Sequence, residues 1–304
     1  MPERSNRREF LRRLGAGALA ARFAVGDGAL EARGGLPGRP RPEGDAGPGS
    51  GARARPQGED GPGTGEAPEA RDDAEMVVIP SGPCILGTSR EDAERLAREY
   101  RCHVTWLDGE GPERRVDVPA FAIDRYPVTN RRYAAFTKAA GHPPPAHWGG
   151  PEPPREILDH PVVMVHQEDC RAFARWAGKR LPAEAEWEKA ARGPEGLLFP
   201  WGDRFDPEAC VWNRDDPAAR DRGPRTLPVD ARPKGASPYG VMDLSGNAAE
   251  WCDGAPGPGC GIVKGGSWIT QTPRNLRPAA RILSGFAVNR SLFVGFRCAR
   301  EVRR

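Results

Sequence analysis

Long apolar runs are scarce in this chain. Apolar residues make up 38% of its 304 residues, low for a fully packed chain of this size, and the shortfall is concentrated. From Gly26 to Glu75 the sequence is Gly, Pro, Arg, Ala and acidic residues, with almost nothing to build a core. Such a stretch cannot bury enough apolar surface to offset its conformational entropy, so it is expected to stay disordered. A large charge surplus is also missing. Lys+Arg number 45 against Asp+Glu 42, a formal net charge of +3. That is too little for a nucleic-acid surface, and much of it lies in the N-terminal tail. Metal-type spacing is absent as well. The seven cysteines (Cys84, Cys102, Cys170, Cys210, Cys252, Cys260 and Cys298) include no Cys-x-x-Cys pair and no Cys/His spacing typical of zinc. The five histidines, His103, His142, His147, His160 and His166, are never spaced i, i+3 or i+4. In an oxidising compartment some of the cysteines are expected to pair, and their odd number leaves at least one thiol free or pairing elsewhere. Cys252 and Cys260 bracket a Gly/Pro turn and are expected to close a small disulfide loop.

The N-terminus carries an address. Arg7-Arg8, one intervening residue and Phe10-Leu11 precede a small, weakly apolar run from Leu14 to Ala21. This order resembles a bacterial twin-arginine signal, with candidate cleavage sites between Ala21 and Ala32. The run is far shorter than the roughly 20 residues that cross a bilayer, so a transmembrane helix is not expected. The other reading is a basic terminus whose Arg pair is accidental in an Arg-rich chain. The chain therefore reads as a signal region over 1–32, a Pro/Gly/Arg-rich spacer over 33–75 and a folded domain over 76–304. The expected location is periplasmic or extracytoplasmic, and the domain is taken as a monomer.

Within the domain, Met76 to Pro80 reads as a short strand and Ser89 as the cap of a helix through Tyr100. A strand over Val116 to Ile123 follows. Thr129 then caps a helix ended by Gly141. A third helix is predicted from Gln167 to Ala177, with Glu168 and Asp169 in its first turn. A fourth follows Pro182 and stops at Gly193. Beyond that point the chain is dense in Gly, Pro, Asp and Asn, with strand-like runs only at Ile262 to Trp268 and Leu292 to Cys298. The class is α+β with short helices, irregular β structure and many loops, a fold that needs bound ions or disulfides to hold its backbone.

The ordered motifs are Met76-Val-Val-Ile-Pro-Ser-Gly, Phe121-Ala-Ile-Asp-Arg-Tyr-Pro-Val-Thr-Asn130, Gly178-Lys-Arg-Leu-Pro-Ala-Glu-Ala-Glu-Trp187, Phe199-Pro-Trp-Gly-Asp203, Gly246-Asn-Ala-Ala-Glu-Trp251, Gly265-Gly-Ser-Trp268 and Gly295-Phe-Arg-Cys298. As a set they resemble the formylglycine-generating-enzyme (sulfatase-modifying factor) family, whose fold is a variant of the C-type lectin fold. The resemblance implies two calcium sites. One maps to Asn213, the carbonyl of Arg214, Asp221 and the carbonyl of Gly223. The other maps to Asp243, the carbonyls of Gly246 and Ala248, and Glu250. Both are all-oxygen sets suited to a hard cation. Asp221 and Asp243 also read as ordinary turn residues, and Glu250 as a surface charge.

Departures from the family pattern bear on function. In the copper-dependent enzymes a cysteine pair follows Gly-Gly-Ser, whereas Gly265 to Arg281 here contains no cysteine and Thr270 stands where the first should be. Copper(I) needs soft sulfur ligands, so copper is not expected. Ala249 stands where the family commonly has a tryptophan beside its groove. The pocket candidates are Ser267, Thr270, Ala249 and Arg281. Iron, used with histidines by some relatives, is the minor reading here. Arg281, Arg290 and Arg297 are set against Glu184 or Glu186 as ion-pair partners rather than anion ligands. Two functions remain open: a divergent oxidoreductase-like enzyme related to the non-haem iron members, or a non-catalytic lectin-like module that binds a protein or peptide.

Overall fold

A computed structural model of the chain describes residue 72 and residues 74–213, 226–254, 261–284 and 290–302, all within the unit Gly63–Arg304. It begins with β1 (Met76–Ile79) and β2 (Gly82–Leu86), then α1 (Arg90–Glu99). Ser89 caps α1, its hydroxyl accepting the Asp92 N–H at 3.1 Å. Next come β3 (Arg114–Val118) and β4 (Phe121–Asp124). The single strand expected over Val116 to Ile123 is thus two strands. Pro119 lacks the N–H a continuous ladder needs, and the chain changes sheets there: β3 pairs with β2, whereas β4 pairs with β1 and β9 (Ala299–Glu301).

Three more helices build the apolar framework: α2 (Asn130–Ala140), α3 (Gln167–Trp176) and α4 (Glu184–Arg192). Each starts and stops where the local chemistry directs. Thr129 Oγ1 accepts the Arg132 N–H, and Gly141 ends α2 at φ 63. Asp169 accepts the His166 N–H ahead of α3, and Glu186 accepts the Ala183 N–H ahead of α4. Acidic groups there also suit the positive end of the helix dipole.

The second half supplies a four-stranded sheet ordered β7-β6-β5-β8, with β5 Ala249–Cys252, β6 Gly261–Lys264, β7 Arg281–Ser284 and β8 Val294–Gly295. The strands are shorter than expected. β6 stops at Lys264 because Gly265 and Gly266 turn at φ 90 and 64, and only Val294–Gly295 of the run to Cys298 pairs as a strand. This sheet separates two cores by simple alternation. Ala249 and Trp251 of β5 and Val263 of β6 face a cluster with Tyr133, Phe173 and Phe296. Cys252 and Ile262 face the other, with Trp187, Ile79 and Phe121. Trp187 and Trp251 are fully buried, so truncating either to Ala costs about 3–5 kcal/mol. On the Trp187 side, the same alternation carries three charged side chains: Glu250 of β5, Lys264 of β6 and Arg281 of β7.

Candidate functional site

The turn entering β5 is built from left-handed residues. Asp243, Gly246 and Asn247 have φ 57, 86 and 60. A side chain at 246 would put its Cβ 2.4 Å from the Val211 carbonyl, so only glycine fits. The Asn247 N–H donates to that carbonyl at 2.8 Å. The Asn247 side chain closes the turn, bonding both backbone groups of Leu227 and donating to Asp243 Oδ2 at 2.9 Å.

Glu250 is no surface charge. It has no exposure, and neither does its partner Arg297, whose Nε and Nη2 donate to its two oxygens at 2.6 and 2.7 Å. Trp187 Nε1 adds a third bond at 2.8 Å. The remaining Arg297 donors go to the carbonyls of Asp124, Arg125 and Met242. Asp243 differs. It is buried with no cation in contact among the described residues, and burial pushes its carboxyl up to about 7, opposed by the Asn247 hydrogen bond and the more distant Arg297 charge. A buried carboxylate with no cation in contact among the described residues, seven residues ahead of a Glu250 whose Oε1 accepts a single described hydrogen bond, suits a hard cation. The donor set of Asp243, Gly246, Ala248 and Glu250 thus fits calcium chemically. Of the other expected set, Asn213 is buried, with its N–H donating to the Thr270 carbonyl at 3.1 Å. Arg214, Asp221 and Gly223 lie outside the described residues.

The four pocket candidates do not come together. Ser267 and Thr270 share one tight turn: Thr270 Oγ1 accepts the Ser267 N–H at 2.9 Å, and the Thr270 N–H donates to the Ser267 carbonyl at 2.9 Å. Gly266 between β6 and this turn has φ 64, and a Cβ there would lie 2.7 Å from the Asn275 carbonyl. Ala249 lies in the apolar cluster on the other face of β5 with no exposure. Arg281 is bidentate to Glu184 at 2.7 Å for both bonds, beside Lys264, which holds Glu188 at 2.9 Å. These groups, with Glu110 and Arg114, line a polar cavity of about 10 Å³, room for about one water molecule. Arg281 therefore pairs with Glu184, one of the partners expected, whereas Arg290 pairs with Asp169 and Arg297 with Glu250.

The thiols and histidines are also spread out. Cys252 is a free thiol without exposure, raised by burial well above its usual range, and Cys260 lies outside the described residues. Cys298 is equally buried and raised. His142 bonds Asp169, His160 bonds Thr226, and burial pushes His147 down to about 4. Among the described residues no three His, Cys, Asp or Glu side chains converge as a metal site. Asn247, Arg297 and Trp187 are the members of the calcium candidate's surroundings to which sequence reasoning assigned no such role. Asn247 sits inside the quoted Gly246-to-Trp251 motif, which was the available signal.

Short helices around small irregular sheets define a formylglycine-generating-enzyme-like fold. The family model for the sulfatase-modifying factor enzyme 1-like domain matches residues 64–302, and the chain belongs to that family. A mouse relative, an inactive C-alpha-formylglycine-generating enzyme 2, is 31% identical over 283 residues, covering 76% of this chain and 87% of the relative. A formylglycine-generating enzyme of Thermomonospora curvata is 35% identical over 226 residues, covering 58% of this chain and 70% of the relative. The structure of PvdO from Pseudomonas aeruginosa is 26% identical with a TM-score of 0.59, covering 75% of this chain and 95% of that one.

Proposed function

We propose that this chain is an exported family member, stabilised by calcium at Asp243 and Glu250, that binds a protein or peptide and does not perform copper-dependent formylglycine formation. One observation carries the second half of this reading. Thr270, at the place of the first copper thiolate, is a hydroxyl already committed to the Ser267 amide, on a segment without cysteine from Gly261 to Arg297. A hydroxyl is a poor ligand for copper(I), which selects thiolates. The thiols Cys252 and Cys298 lie in separate apolar clusters and burial raises both well above the usual range, so they are poor substitutes.

Export is supported by Arg7-Arg8 and Phe10-Leu11, in a region outside the described residues. Among the described residues no helix is long and apolar enough to cross a membrane. The iron-dependent oxidoreductase reading is less well supported, because His142 and His160 are committed to different partners, Asp169 and Thr226. The binding reading also draws on the inactive-named mouse relative, most of whose length this chain matches.

Protein loaded with copper(I) and incubated aerobically with a cysteine peptide of the sulfatase type should leave the thiol intact by mass spectrometry. A peptide aldehyde above the no-protein control would overturn the reading.

A further inference from the structure

Four charged side chains meet behind β4, and one belongs to the stretch before the first strand. Arg132 of α2 and Lys179, just past α3, converge on Asp124 of β4, which has no exposure. Lys179 Nζ donates to Asp124 Oδ1 at 2.9 Å, and Arg132 Nη2 donates to Oδ2 at 2.9 Å. The Cys298 N–H also donates to Oδ2, at 3.2 Å. Two cations against one carboxylate leave a buried surplus of one positive charge. Asp72 cancels it. Its Oδ1 accepts from Arg132 Nε at 2.8 Å, its Oδ2 accepts from Lys179 Nζ at 2.7 Å, and Arg132 Nη2 completes a two-pronged contact. The Asp72 side chain is only 3% exposed. Burial alone would raise its carboxyl, but Arg132 and Lys179 together hold it below the usual range.

Asp72 lies four residues ahead of β1, in a segment whose composition predicts no packed structure. Nothing apolar in the sequence around it would hold it against the domain. What holds it is charge and geometry: a planar guanidinium matched to both carboxylate oxygens, with an ammonium on one of them. The cations are themselves positioned independently of Asp72. Arg132 lies on α2 with its guanidinium 5.7 Å from the Phe173 ring centre, and the Lys179 N–H bonds the Ala174 carbonyl at 2.7 Å.

We propose that Arg132, Lys179 and Asp124 form a carboxylate socket on the folded domain, and that its occupant is Asp72 of the chain's own N-terminal extension. The extension is docked at Asp72. The socket recognises one carboxylate, and an empty socket leaves an uncompensated buried cation.

The test uses the full chain. Removing one partner of a buried charge group is strongly destabilising, so Asp72→Asn should lower the melting temperature by roughly 10 °C. Lys179→Met alone should also destabilise. The double variant Asp72→Asn/Lys179→Met, which restores balance between Arg132 and Asp124, should melt well above the sum of the two single losses. In Asp72→Gly, sodium formate should raise the melting temperature relative to sodium chloride at equal ionic strength, with no such difference in the wild type. Limited proteolysis of the wild type should give a core beginning at or upstream of Asp72, and of Asp72→Asn a core beginning nearer Met76. If Asp72→Asn melts within about 2 °C of the wild type, or the two single losses simply add, the socket does not exist. A wild-type core that begins after Asp72 would exclude it equally.

Discussion

Asp243→Asn should stabilise the calcium-free protein at alkaline pH, although it removes a proposed calcium ligand. Asp243 is buried and its carboxyl is pushed from its ordinary 3.8 up to about 7. A raised folded-state value means the folded protein holds the proton more tightly than the unfolded chain does. The stability tied to that proton is fully present below about pH 4 and is lost as pH rises through about 7. At pH 8 the ionised group costs about 4 kcal/mol, from the distance between 3.8 and about 7. Asparagine keeps the shape and removes the charge, and it can still accept from Asn247 Nδ2, now 2.9 Å from Asp243 Oδ2. In chelator at pH 8 the variant should therefore melt above the wild type by roughly 10 °C, and at pH 4 the two should converge. Added calcium should reverse the order at pH 8, because an ion bound only by the native state raises wild-type stability with its concentration. Differential scanning calorimetry at three pH values, with and without calcium, reads all of this. Coincident melting of the two chelated proteins at pH 8 would refute the premise that Asp243 is an uncompensated buried carboxylate. A wild type indifferent to calcium would remove the cation.

Two further outcomes are expected. Replacing Arg7 and Arg8 together by Lys should hold the protein in the cytoplasm, read by fractionation, and continued arrival in the periplasm would discard the twin-arginine address. Gly246→Ala should destabilise by at least about 1–2 kcal/mol from its left-handed backbone alone, since φ is 86 and the new Cβ would meet the Val211 carbonyl at 2.4 Å. An unchanged denaturation midpoint would show that the turn can open without cost.

The helices were legible because their ends are local chemistry. Ser89, Thr129, Gly141 and Gly193 mark boundaries in the sequence and carry the same roles in the fold. The strands were less so. Val116 to Ile123 alternates plausibly as one strand, but its two halves belong to different sheets, and that division is set by partners far back in the chain at Met76–Ile79 and Gly82–Leu86. The run from Leu292 to Cys298 has strand composition, but its backbone is spent on other elements. Only Val294–Gly295 pairs with β5; farther on, Phe296 O accepts from Val128 and Cys298 O from Asp124. Hydrophobic pattern reports burial here, not ladder pairing.

The site was legible only as chemistry. The residue types at Asp243 and Glu250 announce an oxygen site, but charge compensation is a tertiary property. Arg297 is 47 residues from Glu250 and pairs with both its oxygens, while Asp243, seven residues from Glu250, has no cation in contact among the described residues. Motif order could not separate these two carboxylates. The same limit explains the scattered pocket candidates. Ala249 and Glu250 are neighbours in sequence, yet alternation in β5 sends one into the apolar cluster and the other to Trp187 and Arg297. Arg281 is fourteen residues past Ser267, but its register against Lys264 carries it to Glu184 on α4. A motif thus identifies which residues a fold needs, and strand parity decides which of them can meet a ligand. In this chain the Ser267–Thr270 turn is tied to Asn213 and Asn247 through backbone bonds, and the Asn247 side chain donates to Asp243 of the proposed calcium site. Calcium and the turn should accordingly respond together to any ligand that engages either.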